Sequence, residues 1–407
     1  MQTSSPQKMW TWIPSLFFLE GIPYVVVTTI SVMLLKRLGE DNTHIAFFTS
    51  LLYLPWVIKP LWQAPIQRIH TRWRICATQI IISATLAIMA YAVTTPKSMP
   101  LLLTSLWIVA FASAFHDEAS DNLYSQALTS EQQSLFAGTR SKLYYIAIIV
   151  GQGITLMFAG GLETYFREIR HAWYLTIGII ALCVFGGALY HIFVLPRNIP
   201  ALSTKNNFAL PLEKKAVILA ALFILLFIIP KALTAKINLL FFIDPISKGG
   251  LGLSLSQIGF AQGTIGIIGL SVGSIIGNNL IGTDGLRKWL WPCAMGIALP
   301  QLLYLYICWM HISHFGLICS FIFIEQFGYG FGLAAYMYFM LHFSQGAHER
   351  YHYTLCTAVM ALGMMLPGLI SGWLQTSLGY QTFYLIATGS GFITVLVSAV
   401  LFKNKNN

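Results

Sequence analysis

Residues 196–215 read PRNIPALSTKNNFALPLEKK, and residues 216–230, which follow them, read AVILAALFILLFIIP. The first stretch is the longest polar interruption in the chain, and the second is the kind of run to which the sequence returns on both sides of it. A helix needs about 20 predominantly apolar residues to cross a bilayer. Six such runs precede the interruption, near 10–35, 43–66, 75–95, 100–124, 139–161 and 172–195. Six follow it, near 216–240, 256–280, 288–310, 313–341, 352–375 and 380–402. The expectation is an all-α polytopic membrane protein with 12 transmembrane helices. An N-terminal six-helix half (1–195) is joined by a cytoplasmic linker (196–215) to a C-terminal six-helix half (216–407).

Composition excludes the main competitors. Of 407 residues, 56% are AVILMFWYC and 9% are DEKR, whereas soluble proteins carry about 25% charged residues. So little charge does not clothe a soluble globule of this size. An outer-membrane barrel is excluded because its strands alternate apolar and polar residues, and here the apolar runs are continuous. The first run has the single lysine Lys8 before it and no small-residue cleavage site after it, so it is expected to remain as a spanning helix. The net charge of +10 is carried by short loops rather than by one basic face, which argues for an anionic membrane surface and against nucleic acid. With the N-terminus inside, fifteen lysines and arginines fall on the cytoplasmic side and six outside. That asymmetry places both termini in the cytoplasm.

Several chemistries find no support. The cysteines at 76, 183, 293, 308, 319 and 356 lie within apolar runs and form no CxxC pair, so neither a disulfide framework nor a zinc site is expected. The histidines at 116, 342, 348 and 352 show no HExxH or clustered pattern, and no metal or cofactor is expected. No GxxxxGK[ST] loop and no long soluble segment exist to hold a nucleotide, which excludes ATP-driven transport by this chain alone. No Ser-His-Asp or nucleophile-elbow constellation appears. A membrane-bound acyl or glycosyl transferase would need His116 and Asp117 as a dyad, and adjacent helical residues point about 100° apart. The chain is therefore read as a transporter rather than an enzyme. Gly269, Gly273 and Gly277, and likewise Gly368 and Gly372, recur every four residues and give the eighth and eleventh helices small faces for close packing.

Charges inside spans cost about 2.5–3.5 kcal/mol each on insertion scales and mark functional sites by default. Asp117 and Asp121, four residues apart in the fourth helix, share a face. Two carboxylates in a low-dielectric site repel and become able to load and release a proton. The alternative for Asp121 is a pairing with Arg140 or Lys142 at the start of the fifth helix that latches a loop. Glu20 stands in a Glu-Gly-Ile-Pro break of the first helix, suited to a proton or a cationic ligand or else paired with Lys59 of the second helix. Lys231, after Pro230, and Lys236 with Asn238 form a basic and polar stretch of the seventh helix suited to an anionic group. Glu325 and Gln326, followed by Tyr329, give the tenth helix a polar and aromatic wall. Proton coupling is thus assigned to Asp117, Asp121, Glu20 and Glu325, and solute binding to Lys59, Lys231, Lys236, Asn238, Gln326 and Tyr329. Arg68, Arg140 and Lys142 are the candidates for a gate or loop latch.

The order of these features has a counterpart. Parallel six-helix halves are the organisation of the major facilitator architecture, in which the substrate binds near the midplane. Tyr124-Ser125-Gln126-Ala127 after the fourth run and Phe343-Ser344-Gln345-Gly346 after the tenth form a weak internal repeat. Tyr53-Leu54-Pro55-Trp56 through Lys59-Pro60-Leu61-Trp62, His116-Asp117 through Asp121, Gly21-Ile22-Pro23, and the glycine- and proline-marked stretch from His352 to Tyr380 together resemble the AmpG-like branch of the major facilitator superfamily. Gln67-Arg68 stands where that superfamily usually has Asp-Arg. The branch includes importers of anhydro-muropeptides, importers of certain siderophores and a eukaryotic acetyl-CoA transporter, and Lys59, Asp117 and Asp121 fall on its polar positions. The resemblance implies a proton-coupled importer of the bacterial inner membrane, acting as a monomer on an amphipathic, partly anionic solute such as a muropeptide, with siderophore transport as the alternative.

Overall fold

The computed structural model describes residues 6–66, 69–96, 98–197, 214–346 and 349–403. Among them there are helices and no strands. Ten helices are long and apolar enough to cross a membrane. Two features bring the segments to the twelve expected. Residues 42–66 form three short helices, Asn42–Leu51, Leu54–Val57 and Lys59–Ile66. The last stretch, Tyr351–Ala399, runs for 49 residues, but Gly379 interrupts it with φ 77° and ψ 168°. A residue with a Cβ resists that backbone, so the glycine turns one helix into two.

The interruptions have local causes. Pro55 and Pro60 lack an N–H and disfavour helical geometry in the residue before each, which divides the second segment. Pro230 does the same in the seventh, where Lys214–Phe227 gives way to Ile229–Ile243 at Ile228. Pro23 precedes a wide π turn at Val26–Ile30 in the first segment. Further π turns occur at Ile149–Ile154 in the fifth and Gly259–Gly266 in the eighth.

The fifth segment corrects one expectation. It begins at Ser130, not near 139, because Thr129 and Gln132 form a reciprocal capping box that starts the helix within a polar stretch. Arg140 and Lys142 therefore lie well inside the helix rather than at its start. The third segment likewise starts at Thr71 and takes in Arg74, which is buried. Arg68 and residues 198–213 of the expected linker lie outside the described residues.

The chain divides into two compact units, one of Met1–Leu34 with Leu61–Asn207 and one of Leu35–Pro60 with Phe208–Asn407. In the first unit the core gathers Trp12, Leu16, Phe17, Ile75, Leu123 and Phe136. Glycines draw its first and fifth segments together, since a Cβ at Gly21 would lie 2.7 Å from the Ala147 Cβ and one at Gly151 3.1 Å from the Val25 Cβ. In the second unit the core includes Phe223, Phe227, Cys293, Ile297, Tyr336 and Met340. The small face of the eighth segment packs on the tenth, where a Cβ at Gly273 would overlap the Phe327 carbonyl. The small face of the eleventh segment receives Asn42–Leu51, since Gly368 lies against Ser50 and Gly372 against the Asn42 carbonyl and Ala46. That packing explains why residues 35–60 group with the C-terminal segments.

Candidate functional site

In the first unit the π turns and close glycine contacts hold the first and fifth segments side by side, and the fourth segment packs against the first. This arrangement gathers Glu20, Asp117, Asp121 and Arg140. Glu20 is buried, while the other three are half-buried. The Arg140 guanidinium makes an ion pair with Asp121 and lies 4.0 Å from Glu20 Oε1. It also lies against an edge-to-face pair of aromatic rings, with its centre 4.5 Å from the Phe17 centroid and 5.6 Å from that of Tyr124. Asp117 lies close enough to the Glu20 carboxyl to interact with it. Glu20 Oε2 is buried and accepts no hydrogen bond from the described residues. Three carboxyl groups thus share one guanidinium, and at the buried Glu20 an uncompensated charge is costly. A proton added to the cluster relieves that excess. Glu20 thus lies within electrostatic reach of Arg140, Asp117 and Asp121. Lys142 is exposed.

Glu118, between the two aspartates, turns to the opposite face and pairs with Arg74, while Asn122 donates to its other oxygen. Beyond that pair runs a buried relay: Ser15 Oγ lies 2.9 Å from His191 Nε2, His191 Nδ1 3.0 Å from Gln79 Oε1, and Gln79 Nε2 2.8 Å from His116 Nε2.

In the second unit the break at Pro230 places Lys231 in the first turn of Ile229–Ile243, opposite the middle of the helix Phe315–Ser344. Lys231 Nζ donates to Glu325 Oε1 at 2.8 Å, and Tyr304 Oη donates to Glu325 Oε2 at 3.3 Å. The ammonium also stands 4.5 Å from the Tyr329 ring centroid. The side chains of the pair are 9% and 1% exposed, so it is desolvated. Nearby on the seventh segment, Asn238 Oδ1 accepts from Tyr384 Oη at 3.0 Å, and Tyr384 stacks on Tyr304. Lys236, also buried, lies 5.3 Å from the Tyr53 ring. Gln326 is buried beside Gly266 of the third π turn, and Lys59, the first residue of Lys59–Ile66, is half-buried.

A third cluster has no forerunner in the sequence reading. Asp244, just past the end of the seventh segment, meets Lys36 Nζ at 2.5 Å through Oδ1, and its Oδ2 accepts from Asn42 Nδ2 at 2.8 Å and Tyr380 Oη at 2.6 Å. Asn42 also bonds Lys36 and Gln375, at 2.7 Å and 2.8 Å. Burial pushes the Asp244 carboxyl up, but hydrogen bonds from Lys36, Tyr380 and Asn42 outweigh it and hold the group below the usual carboxylate range. Lys36 sits in a basic doublet and Asn42 is neutral, so only the fold identifies them. Gln152 and Gln262 were also missed. Each is a buried amide within a π turn and precedes a glycine, a geometry that recurs at functional sites.

Among the described residues, one group has the spacing to hold a metal ion, namely Glu40, Asp41 and His44, and it lies at the surface. Its groups already cap a helix, with Asp41 Oδ1 accepting from the His44 N–H at 2.9 Å.

The fold and these intramembrane charges define a class: a multi-pass membrane protein with the major facilitator fold. The resemblance to the AmpG-like branch is borne out by curated relatives. The chain is 23% identical over 404 residues to the anhydromuropeptide permease of Escherichia coli K12, which spans 93% of this chain and 77% of the relative. The permease of Escherichia coli O157:H7 matches to the same extent. No family model matches the chain. Among solved structures, a bacterial homologue of the human lysosomal transporter Spinster, inward-facing and unoccupied, superposes with a TM-score of 0.73 at 14% identity, covering 98% of this chain and 97% of the other. The nucleoside transporter NupG superposes with a TM-score of 0.72 at 16% identity over 98% and 99%. Together these comparisons support a membrane transporter.

Proposed function

We propose that the protein is a proton-coupled secondary active transporter of the bacterial inner membrane that imports an amphipathic, partly anionic solute of the anhydro-muropeptide type. The observation that carries this reading is the similarity to an anhydromuropeptide permease along 93% of the chain. The charge clusters of the two units supply the chemistry. Glu20, Asp117 and Asp121 take the proton, and Arg140 compensates whichever carboxylate remains ionised. Lys59, Lys231, Lys236, Asn238, Gln326 and Tyr329 receive the solute, the lysines attracting its acidic groups and Tyr329 stacking on its rings. Both termini lie in the cytoplasm, on the side richer in lysine and arginine. On this reading the protein moves its solute unchanged, in keeping with its similarity to a permease. The test is uptake of an anhydro-muropeptide by proteoliposomes. Accumulation against its gradient under an inwardly directed proton gradient, abolished by a protonophore, is expected. Uptake that merely equilibrates would overturn proton coupling, and failure to exchange the solute in counterflow would overturn the solute assignment.

A further inference from the structure

The pair Lys231–Glu325 does more than neutralise two buried charges. A carboxylate already occupies the lysine on which the solute-binding reading depends, and the two polar neighbours of the pair are suited to its being replaced. We propose that Glu325 is an internal stand-in for a carboxylate of the solute, exchanged for it at Lys231 with the uptake of one proton by Glu325. This inference rests on the transport reading above and adds to it a ligand class, a solute bearing a free carboxylate.

The exchange follows from the geometry. The Lys231 ammonium donates to Glu325 Oε1 at 2.8 Å and faces the Tyr329 ring at 4.5 Å. When an arriving carboxylate accepts from the ammonium instead, Tyr329 continues to hold the cation through its π face, so Lys231 need not move. Glu325 is then left as an anion in a site where it is 1% exposed, and a buried carboxylate without its cation takes up a proton rather than remain charged. The proton is delivered from the aqueous phase, by hydronium or a buffer acid that is left as its conjugate base, and adds to a Glu325 oxygen, and no bond of the solute is broken. Charge balances at every stage, with one ammonium facing one carboxylate before and after. Tyr304 serves both states. Its hydroxyl donates to Glu325 Oε2 now, and its oxygen can accept from the protonated acid after exchange, since a phenol is both donor and acceptor. Stacking on Tyr384, which is itself fixed by Asn238, keeps that hydroxyl in place. An amide in place of the solute's carboxylate cannot displace Glu325, because it brings no negative charge to exchange.

The experiment is titration calorimetry of the purified full chain with an anhydro-muropeptide and with its amidated counterpart, run in two buffers of different ionisation enthalpy so that protons taken up are counted. Wild-type protein should bind the acidic form at least about tenfold more tightly than the amide, roughly 1.4 kcal/mol. It should take up one proton more than Glu325→Gln does. Lys231→Gln should lose the preference for the acid. The double variant Lys231→Gln/Glu325→Gln leaves no unpaired buried charge and is expected to fold. It should bind both forms alike, with one proton fewer than wild type. Equal proton counts for wild type and Glu325→Gln, or a preference for the acid that survives in the double variant, would overturn the exchange while leaving the transport reading intact. Failure of wild-type protein to bind either form would instead remove that reading, and the inference with it.

Discussion

At the level of single residues, the decisive facts are who partners whom. The four-residue spacing of Asp117 and Asp121 was legible as a shared helical face, and the break around Gly21 and Pro23 marked Glu20 as unusual. Arg140 was legible as one of two candidate partners for Asp121; what the sequence did not contain was the choice of Arg140 over Lys142 and its sharing with Glu20 and Asp117. Lys231 and Glu325 were each legible as out of place, but their pairing joins residues 94 positions apart, a distance no local pattern spans. If the first-unit cluster carries the proton, Asp117→Asn and Asp121→Asn should lose uphill accumulation by tenfold or more while retaining counterflow, which needs no net proton movement. Paired uptake and counterflow in proteoliposomes measure this, and full gradient-driven uptake in the doubly substituted protein would move the coupling site elsewhere. Asp244 supports a prediction about stability. Its carboxyl titrates below the ordinary range when folded, so the stabilisation it gives is complete above the unfolded value of about 3.9 and is lost as pH falls through the lower folded value. Asp244→Asn should therefore lower the unfolding midpoint in detergent at neutral pH, with a cost on the order of 3 kcal/mol for breaking a buried pair. The gap from wild type should narrow as pH falls below the ordinary carboxylate range, and a gap independent of pH would contradict the assignment.

Helices and turns are where hydropathy reads best and where its errors have plain causes. Apolar runs located every spanning segment, but the start of the fifth was misjudged because Ser130 to Arg140 is polar and only the Thr129–Gln132 capping box reveals that the helix has begun. The breaks of the second and seventh segments fall beside Pro55, Pro60 and Pro230, and the hydropathy runs passed over them. The three π turns, at Val26–Ile30, Ile149–Ile154 and Gly259–Gly266, left no such mark, since an inserted residue changes neither composition nor run length. Glycine spacing identified the small faces but not their partners, which are the tenth segment for Gly273 and the second for Gly372. Two substitutions in one helix separate packing from propensity. Gly273→Ala drives a methyl into the Phe327 backbone carbonyl, which cannot yield as a side chain would, and should destabilise by about 1–3 kcal/mol. Gly282→Ala, with nothing within 4 Å of the new methyl, should be neutral or stabilising by up to about 1 kcal/mol through helix propensity. Thermal unfolding of both variants checks this, and equal effects would mean that close approach of the eighth and tenth segments is not what Gly273 provides.

For the molecule as a whole, the number of segments and the fold class were legible because a bilayer demands long apolar helices and leaves no other solution for so uncharged a chain. The grouping of residues 35–60 with the C-terminal unit was not, because it depends on glycines more than 300 residues further along the chain. Orientation rests on loop charge and makes a prediction independent of the solute. The excess of lysine and arginine puts the turn after the seventh segment outside and the turn between the eighth and ninth inside. Ser247 and Thr283 are exposed residues at those two turns. In protein whose six native cysteines have been replaced, Ser247→Cys in intact cells should react with a membrane-impermeant maleimide, and Thr283→Cys should react only after the membrane is opened. Ser247 lies in the turn Ile246–Lys248 and Thr283 in the last turn of the helix Ile267–Asp284, and neither belongs to the Glu20 or Lys231 cluster, so labelling reports sidedness rather than gating. The turn at 246–248 is also tied back to the end of the seventh segment by hydrogen bonds from Gly252 to Asp244 and from Leu253 to Phe242, each 2.8 Å, so Ser247 stays at the end of its helix. The reverse labelling pattern would place both termini outside and would invert the direction in which a proton gradient drives the solute.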